Sequence, residues 1–256
     1  MLSLKNVSKK FINRKKEFIP LDDVTFDVYH NEFLCLLGPS GCGKSTILKL
    51  VSGLIQKDSG SITLEGREIT KPGSDRGMVF QDYALFPWLN VEHNIALGLE
   101  ITGKKSKAEI REKVKWAVSL VNLTGFEKHH PHQLSGGMKQ RVAIARVLVM
   151  ESKILLMDEP FGALDAFTRM QLQDDLIALC EKHRFTIVFV THDVDEAVYL
   201  ADRIVVMSPP PGKVKAIVDV PMSRPRVRTA DDFTHIRNYV LEQYGYKDTR
   251  KIEYQL

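Results

Sequence analysis

The chain has 256 residues, 44% hydrophobic and 27% charged, an ordinary globular composition that excludes disordered, collagen-like and coiled-coil classes. Lys and Arg number 36 against 32 Asp and Glu, and a net charge of +4 is too small to argue for nucleic acid as a partner. The three cysteines, Cys35, Cys42 and Cys180, are far apart, which excludes a disulfide framework or a Cys-x-x-Cys metal pair and points to a reducing compartment. Met1–Asn6 lacks the apolar stretch of a secretory signal, and no apolar run approaches the ~20 residues of a membrane helix.

In chain order, residues 2–8 and 21–28 alternate apolar and polar side chains and predict antiparallel strands. Phe33–Leu37 is a short, wholly apolar run ending at Gly38, which predicts a buried strand. Residues 44–54 place Ile47, Leu48, Leu50, Val51 and Leu54 at helical spacing, and residues 61–64 predict a further strand. Gly103–Ser106 reads as an exposed loop between an upper helical part and the rest. Residues 107–121 form one apolar face from Ile110, Val114, Ala117, Val118 and Val121, with Lys and Glu opposite, and so predict a helix. The runs 154–157 and 186–190 are short, apolar, bounded by charge and each preceded by a helical segment, as parallel strands covered on both faces are. Residues 203–207 add a strand, Pro209–Gly212 is a sharp break, and residues 232–243 predict a last helix.

Gly38-Pro39-Ser40-Gly41-Cys42-Gly43-Lys44-Ser45 fits G-x-x-x-x-G-K-[ST], between a strand and a helix as that pattern requires. Its glycines let backbone N–H groups converge on phosphates at a helix start that carries about half a positive charge. Lys44 then reaches the β- and γ-phosphates, and the Ser45 hydroxyl ligates Mg²⁺. Cys42, inside this loop near a helix start, is expected to have a lowered thiol pKa and to be alkylated in an ATP-protected way. The run 154–157 ends in Asp158-Glu159, 158 − 44 = 114 positions after Lys44. Asp158 is placed to hold Mg²⁺ through water, and Glu159 to polarise a water attacking the γ-phosphate. In Leu134–Arg141, Ser135 caps a helix opened by Gly136 and Gly137, which makes a second anion-binding helix end. One nucleotide rarely needs two such ends from one chain, whereas two chains placed head to tail use both.

Taken together, residues 38–45, 134–141 and 157–160, Gly162-Ala163-Leu164-Asp165 and Thr191-His192-Asp193 resemble ABC-transporter ATPase subunits in order and spacing, over about residues 2–208. The resemblance implies an α/β fold of the ABC P-loop NTPase type: a mixed-sheet core, an antiparallel β subdomain and a helical subdomain at about 88–150. It also implies an ATPase domain over 1–208 and a short extension, 209–256, without a separate regulatory domain. The 256 − 208 = 48 residues of that extension suffice for a strand and a helix.

The resemblance further implies nucleotide contacts from residues 38–46, Thr46 included, and from Ser135, Gly136 and Gly137. Phe11 lies under the adenine, Asp165 acts across a dimer, His192 contacts the γ-phosphate, and Gln81 joins Mg²⁺ and the attacking water to a membrane partner. Met138 departs from the common signature, which has Gln there. ATP and Mg²⁺ are the implied cofactors. The implied partners are a second copy or a homologous ATPase, transmembrane permease subunits and, indirectly, an extracytoplasmic solute-binding protein, at the cytoplasmic face of the membrane. The aromatic run 83–89 reads as a groove for a permease helix, with Trp88 carrying the coupling. Leu85-Phe86-Pro87-Trp88, residues 94–100, Phe161–Asp165 and Met207–Lys213 resemble the nitrate/sulfonate/taurine class of bacterial importer ATPases. A vitamin importer, an exporter or a non-transport ABC ATPase remains the alternative.

Overall fold

The computed structural model describes residues 1–13 and 16–245, so residues 246–256, the end of the predicted extension, lie outside the described residues. The chain opens with an antiparallel hairpin, β1 (Leu2–Asn13) and β2 (Lys16–Val28). Both strands run longer than the alternation at 2–8 and 21–28 predicts. In the added part Lys10–Ile12 and Glu17–Ile19 are exposed, and register shifts between Leu4 and Phe11 break the period of two, so pairing there leaves no apolar signal. β3 (Phe33–Leu37) follows as predicted, and α1 (Lys44–Ser52) ends two residues early. Gly53 stops that helix with φ 79°, and a Cβ there would stand 2.4 Å from Lys71 O. β4 (Ser59–Leu64) and β5 (Arg67–Glu68) complete a four-stranded sheet in the order β2-β1-β4-β5.

The second sheet comprises β3, β6 (Arg76–Val79), β7 (Ile154–Asp158), β8 (Ile187–Thr191), β9 (Arg203–Met207) and β10 (Val214–Asp219). Its order is β10-β9-β3-β8-β7-β6, parallel throughout except for the β10 edge. Successive side chains leave the sheet on opposite faces. Phe33, Cys35, Leu37, Leu155, Met157, Ile187 and Phe189 enter one core cluster, while Leu34, Leu36, Ile154, Leu156, Val188 and Val190 enter the other. The second cluster is closed by α1 and by apolar residues of the antiparallel sheet, such as Leu2, Leu4 and Ile62.

The first cluster is closed by helices. α2 (Val91–Thr102), α3 (Lys107–Leu120) and α4 (Gly136–Leu148) pack on one another. Ser106 and Glu109 form a capping box at the start of α3. Residues 103–106 join α2 to α3 within this helical layer, so the loop does not separate the layer from the rest as the sequence reading expects. α5 (Ala166–His183), α6 (Val194–Leu200) and α7 (Asp231–Tyr244) complete the chain. The end of the described chain supplies the expected strand, β10, and helix, α7, whose Phe233 and Val240 are fully buried in the first cluster. Among the described residues no helix is long and apolar enough to cross a membrane.

Candidate active site

Four neighbouring parallel strands, β6, β7, β8 and β3, end on the same edge of the sheet. The crevice beyond such carboxyl ends is where open α/β sheets bind ligands. Gln81 stands two residues past β6, Asp158 ends β7 with Glu159 next, Thr191 ends β8 with His192 next, and residues 38–43 lead from β3 into α1. Strand order therefore brings together four segments that are far apart in sequence.

The phosphate loop is wound tightly. Gly41 and Gly43 have φ of 80° and 96°, in the left-handed region that glycine enters without cost. A Cβ on Gly43 would meet Leu21 Cδ2 at 2.4 Å, whereas around Gly41 the space is open. Pro39 is half-buried, and Ser40 and Gly41 are exposed at the mouth of the loop. The N–H groups of Lys44, Ser45 and Thr46 lie in the first turn of α1 and precede its first intrahelical acceptors. Lys44 is 5% exposed, and its Nζ donates to Gly38 O at 2.6 Å and Pro39 O at 3.1 Å. Those carbonyls hold the ammonium at the loop.

Ser45 Oγ donates to Asp158 Oδ1 at 2.8 Å. Burial pushes the Asp158 carboxyl above its ordinary pKa, and the Ser45 hydrogen bond opposes this. A buried carboxylate facing a hydroxyl is the hard, all-oxygen donor set that suits Mg²⁺, an ion that takes few protein ligands and completes its shell with phosphate and water. Glu159 leaves the strand with φ 43°, and its N–H donates to Val190 O at 3.1 Å. The turn sets Glu159 Oε2 3.1 Å from His192 Nδ1. Gln81 is exposed, with Nε2 3.9 Å from where a Cβ on Gly162 would stand.

Other predicted residues stand apart from this cluster. Ser135 caps α4 by accepting from Met138 N at 3.3 Å, as its place in the motif predicts. A Cβ on Gly136 would lie 3.2 Å from Leu164 Cδ2, and one on Gly137 2.7 Å from Thr168 Cγ2. Asp165 caps α5 through Thr168 N at 3.1 Å, and that backbone hydrogen bond lowers its carboxyl pKa. Phe11 is 40% exposed on β1, with Lys9 Nζ 5.3 Å from its ring centroid, so it is not a core side chain.

One expectation is corrected. Cys42 is fully buried, and burial raises its thiol pKa in spite of Lys44 nearby. It packs against Gly38, where a Cβ would lie 2.7 Å from its Sγ, and is a filler of the loop rather than a reactive thiol. Trp88, expected to carry the coupling, is 70% exposed with its ring tilted against that of Phe86 at a centroid distance of 5.5 Å, outside the nearby apolar groove. That groove, of about 430 Å³, is lined instead by Phe80, Ala84, Phe86, Leu97, Ile101 and Met150.

Two residues that shape the groove were missed from sequence. Asn94, fully buried on α2, accepts from Phe86 N at 2.9 Å and donates to the carbonyls of Phe86, Leu89 and Asn90. Arg146 donates to Tyr83 O at 3.1 Å and to Ala84 O at 2.6 Å. A polar residue at a core position of α2 was the available signal for Asn94.

Comparison with known proteins agrees with this arrangement. The ABC transporter family model matches residues 21–162. An aliphatic sulfonates import ATP-binding protein of Bacillus cereus (strain ATCC 10987 / NRS 248) is 46% identical over 243 residues, 95% of either chain. An uncharacterized ABC transporter ATP-binding protein of Methanocaldococcus jannaschii is 48% identical over 242 residues, 94% of this chain and 90% of its own. Among solved structures, a dimeric bacterial ABC transporter cassette superposes with TM-score 0.77 at 32% identity, covering 87% of this chain and all of its own. A post-hydrolysis cassette bound to ADP and Pi superposes with TM-score 0.76 at 32% identity, over 87% of this chain and 100% of its own. With the phosphate loop, the Asp158-Glu159 strand end, His192 and the Ser135 helix all in this frame, the chain belongs to the ABC transporter family, as an ATP-binding subunit whose activity is ATP hydrolysis coupled to transport.

Proposed function

We propose that this protein energises an importer of small sulfonates, taurine among them, or of nitrate or a similar small solute, from the cytoplasmic face of a membrane. The observation that carries the hydrolytic part is the pairing of Ser45 with Asp158 at 2.8 Å and of Glu159 with His192 at 3.1 Å on adjacent strand ends. The solute part is supported by the sulfonate-import relatives, one of them from Bacillus subtilis at 44% identity over 246 residues.

In this reading residues 1–208 form the ATPase unit and residues 209–245 brace it. The N–H groups of residues 41–46 and the Lys44 ammonium bind the phosphates, and Phe11 lies under the adenine. Ser45, Asp158 and Gln81 hold Mg²⁺, which when bound neutralises the charge that gathers on the phosphate oxygens. Glu159 accepts a proton from the attacking water, worth roughly 10²–10⁴-fold in rate. His192 holds Glu159 in place and reaches toward the γ-phosphate. Ser135, Gly136 and Gly137 close the site of a second copy, and Asp165 meets that copy beside them.

The apolar groove beside Gln81 accepts a short amphipathic helix of the permease, a helix-in-groove mode whose apolar anchors Phe80 and Phe86 supply. Closing two copies on ATP moves this groove, and hydrolysis reopens them. The energy transmitted is the difference in ATP affinity between open and closed states.

The test is uptake by a strain of the source organism lacking this gene, with labelled alkanesulfonate, taurine and nitrate supplied in turn. Loss of entry of at least one of the three, restored by the gene, is expected. Normal entry of all three overturns the solute assignment.

A further inference from the structure

The segment between β10 and α7 is fastened to α6 by three arginines at alternate positions. Arg224 Nη2 donates to Leu200 O at 2.6 Å. Arg226, 6% exposed, donates through Nη1 to the carbonyls of Val198, Tyr199 and Ala201 at 2.8, 3.1 and 2.7 Å. These bonds satisfy carbonyls at the end of α6 that have no intrahelical partner.

Arg228 is directed elsewhere. Its guanidinium lies 3.5 Å from the ring centroid of Tyr199, and its Nη2 donates to Gln173 Oε1 at 2.6 Å. Gln173, on α5 and 2% exposed, donates through Nε2 to Glu196 Oε1 at 2.8 Å. Glu196, on α6 and 7% exposed, donates through its backbone N–H to Asp193 Oδ1 at 3.1 Å, and Asp193 N donates to the Oγ1 of Thr191, the residue before His192, at 3.0 Å. One turn earlier on α5, Arg169 donates to Leu164 O at 3.1 Å, and its Nη1 lies 3.8 Å from Asp193 Oδ2. A chain of polar contacts thus runs from Arg228 through α5 and α6 to the loops that carry His192 and Asp165.

Buried polar chains add little net stability compared with apolar packing of the same volume. What a satisfied chain does is fix one arrangement of the elements that it joins. The elements joined here are those that place His192 against Glu159.

We propose that Arg228 is a positioning residue for ATP hydrolysis, acting through Gln173 and Glu196 on Thr191 and so on the placement of His192. The proposal rests on the reading of Glu159 and His192 as hydrolytic residues. Because Arg228 lies away from the phosphate loop, its loss should slow the chemical step and leave nucleotide binding alone.

The experiment measures kcat and KM for ATP on the full chain carrying Arg228→Met, His192→Ala, or both, with melting curves alongside. Arg228→Met is expected to lower kcat about five- to fifty-fold, the span of couplings within one network, with KM unchanged within about twofold. Arg228→Lys, which can still donate to Gln173, recovers part of the loss. The double variant loses no more than His192→Ala alone. Gln173→Met, which keeps the volume and removes both hydrogen bonds, repeats the test if Arg228→Met does not fold. The proposal is overturned if His192→Ala lowers kcat while Arg228→Met and Gln173→Met do not, or if the losses multiply in the double variant. An unchanged kcat in His192→Ala instead removes the hydrolytic reading, and this proposal with it.

Discussion

Glu159 leaves β7 with φ 43°, in a region that costs a non-glycine residue about 1–3 kcal/mol. The backbone bond to Val190 O and the contact with His192 hold it there. Replacing Glu159 by Gln keeps the shape and removes the proton acceptor. We expect Glu159→Gln to bind ATP normally and to hydrolyse it on the order of 10²-fold or more slowly, read by nucleotide titration and phosphate release. Near-normal turnover would remove Glu159 from that role. Lys44 and Ser45 were legible in the sequence because their spacing is set by strand-loop-helix geometry within one segment, and Asp158 and Glu159 because an apolar run ends in two adjacent carboxylates. The Glu159–His192 pair was not, because it depends on β7 and β8 being neighbours, which only the strand order fixes. Cys42 was misread for a physical reason: proximity to a helix start lowers a thiol pKa only where water or a cation can support the thiolate, and here burial dominates.

Among the elements, β3 and β9 were readable to the residue because strands buried on both faces are written as unbroken apolar runs. β6 escaped notice because Arg76-Gly77-Met78-Val79 carries a charge and a glycine, and it is a strand through its pairing with β7. α5 is the helical segment read before the run 186–190, but its bounds escaped because only Leu172, Gln173, Leu176 and Ile177 of its 18 residues are buried, too few to draw an apolar stripe. The aromatic segment after Gln81 is likewise not a regular element, and one side chain organises it. Asn94→Ala would strand the Phe86 N–H and the Leu89 carbonyl, each at about 1–3 kcal/mol where water cannot replace the partner. We expect a lowered melting temperature and a greater loss of transport than of hydrolysis by the isolated subunit. Hydrolysis and transport falling in the same proportion would contradict a role for this segment in coupling.

On the scale of the whole molecule, one chain carries two glycine-flanked helix starts, at Lys44 and at Ser135, that the proposed function assigns to ATP. Among the described residues, no hydrogen bond joins Ser135, Gly136 or Gly137 to the phosphate loop. Exposed apolar side chains flank the region beyond Asp165, with Phe167 85% and Met170 46% exposed, as a surface meant to be covered would be. The account therefore requires each ATP to sit between the phosphate loop of one copy and the Ser135 helix of another. The most direct test mixes two inactive variants, Lys44→Ala and Ser135→Arg, and measures ATP hydrolysis by the mixture. In a head-to-tail pair the intact phosphate loop of the Ser135→Arg copy faces the intact Ser135 helix of the Lys44→Ala copy, so each mixed dimer holds one complete site. The account predicts that neither variant alone hydrolyses ATP and that mixing restores hydrolysis. A mixture as inactive as its components, with mixed dimers shown to form in ATP, would contradict it.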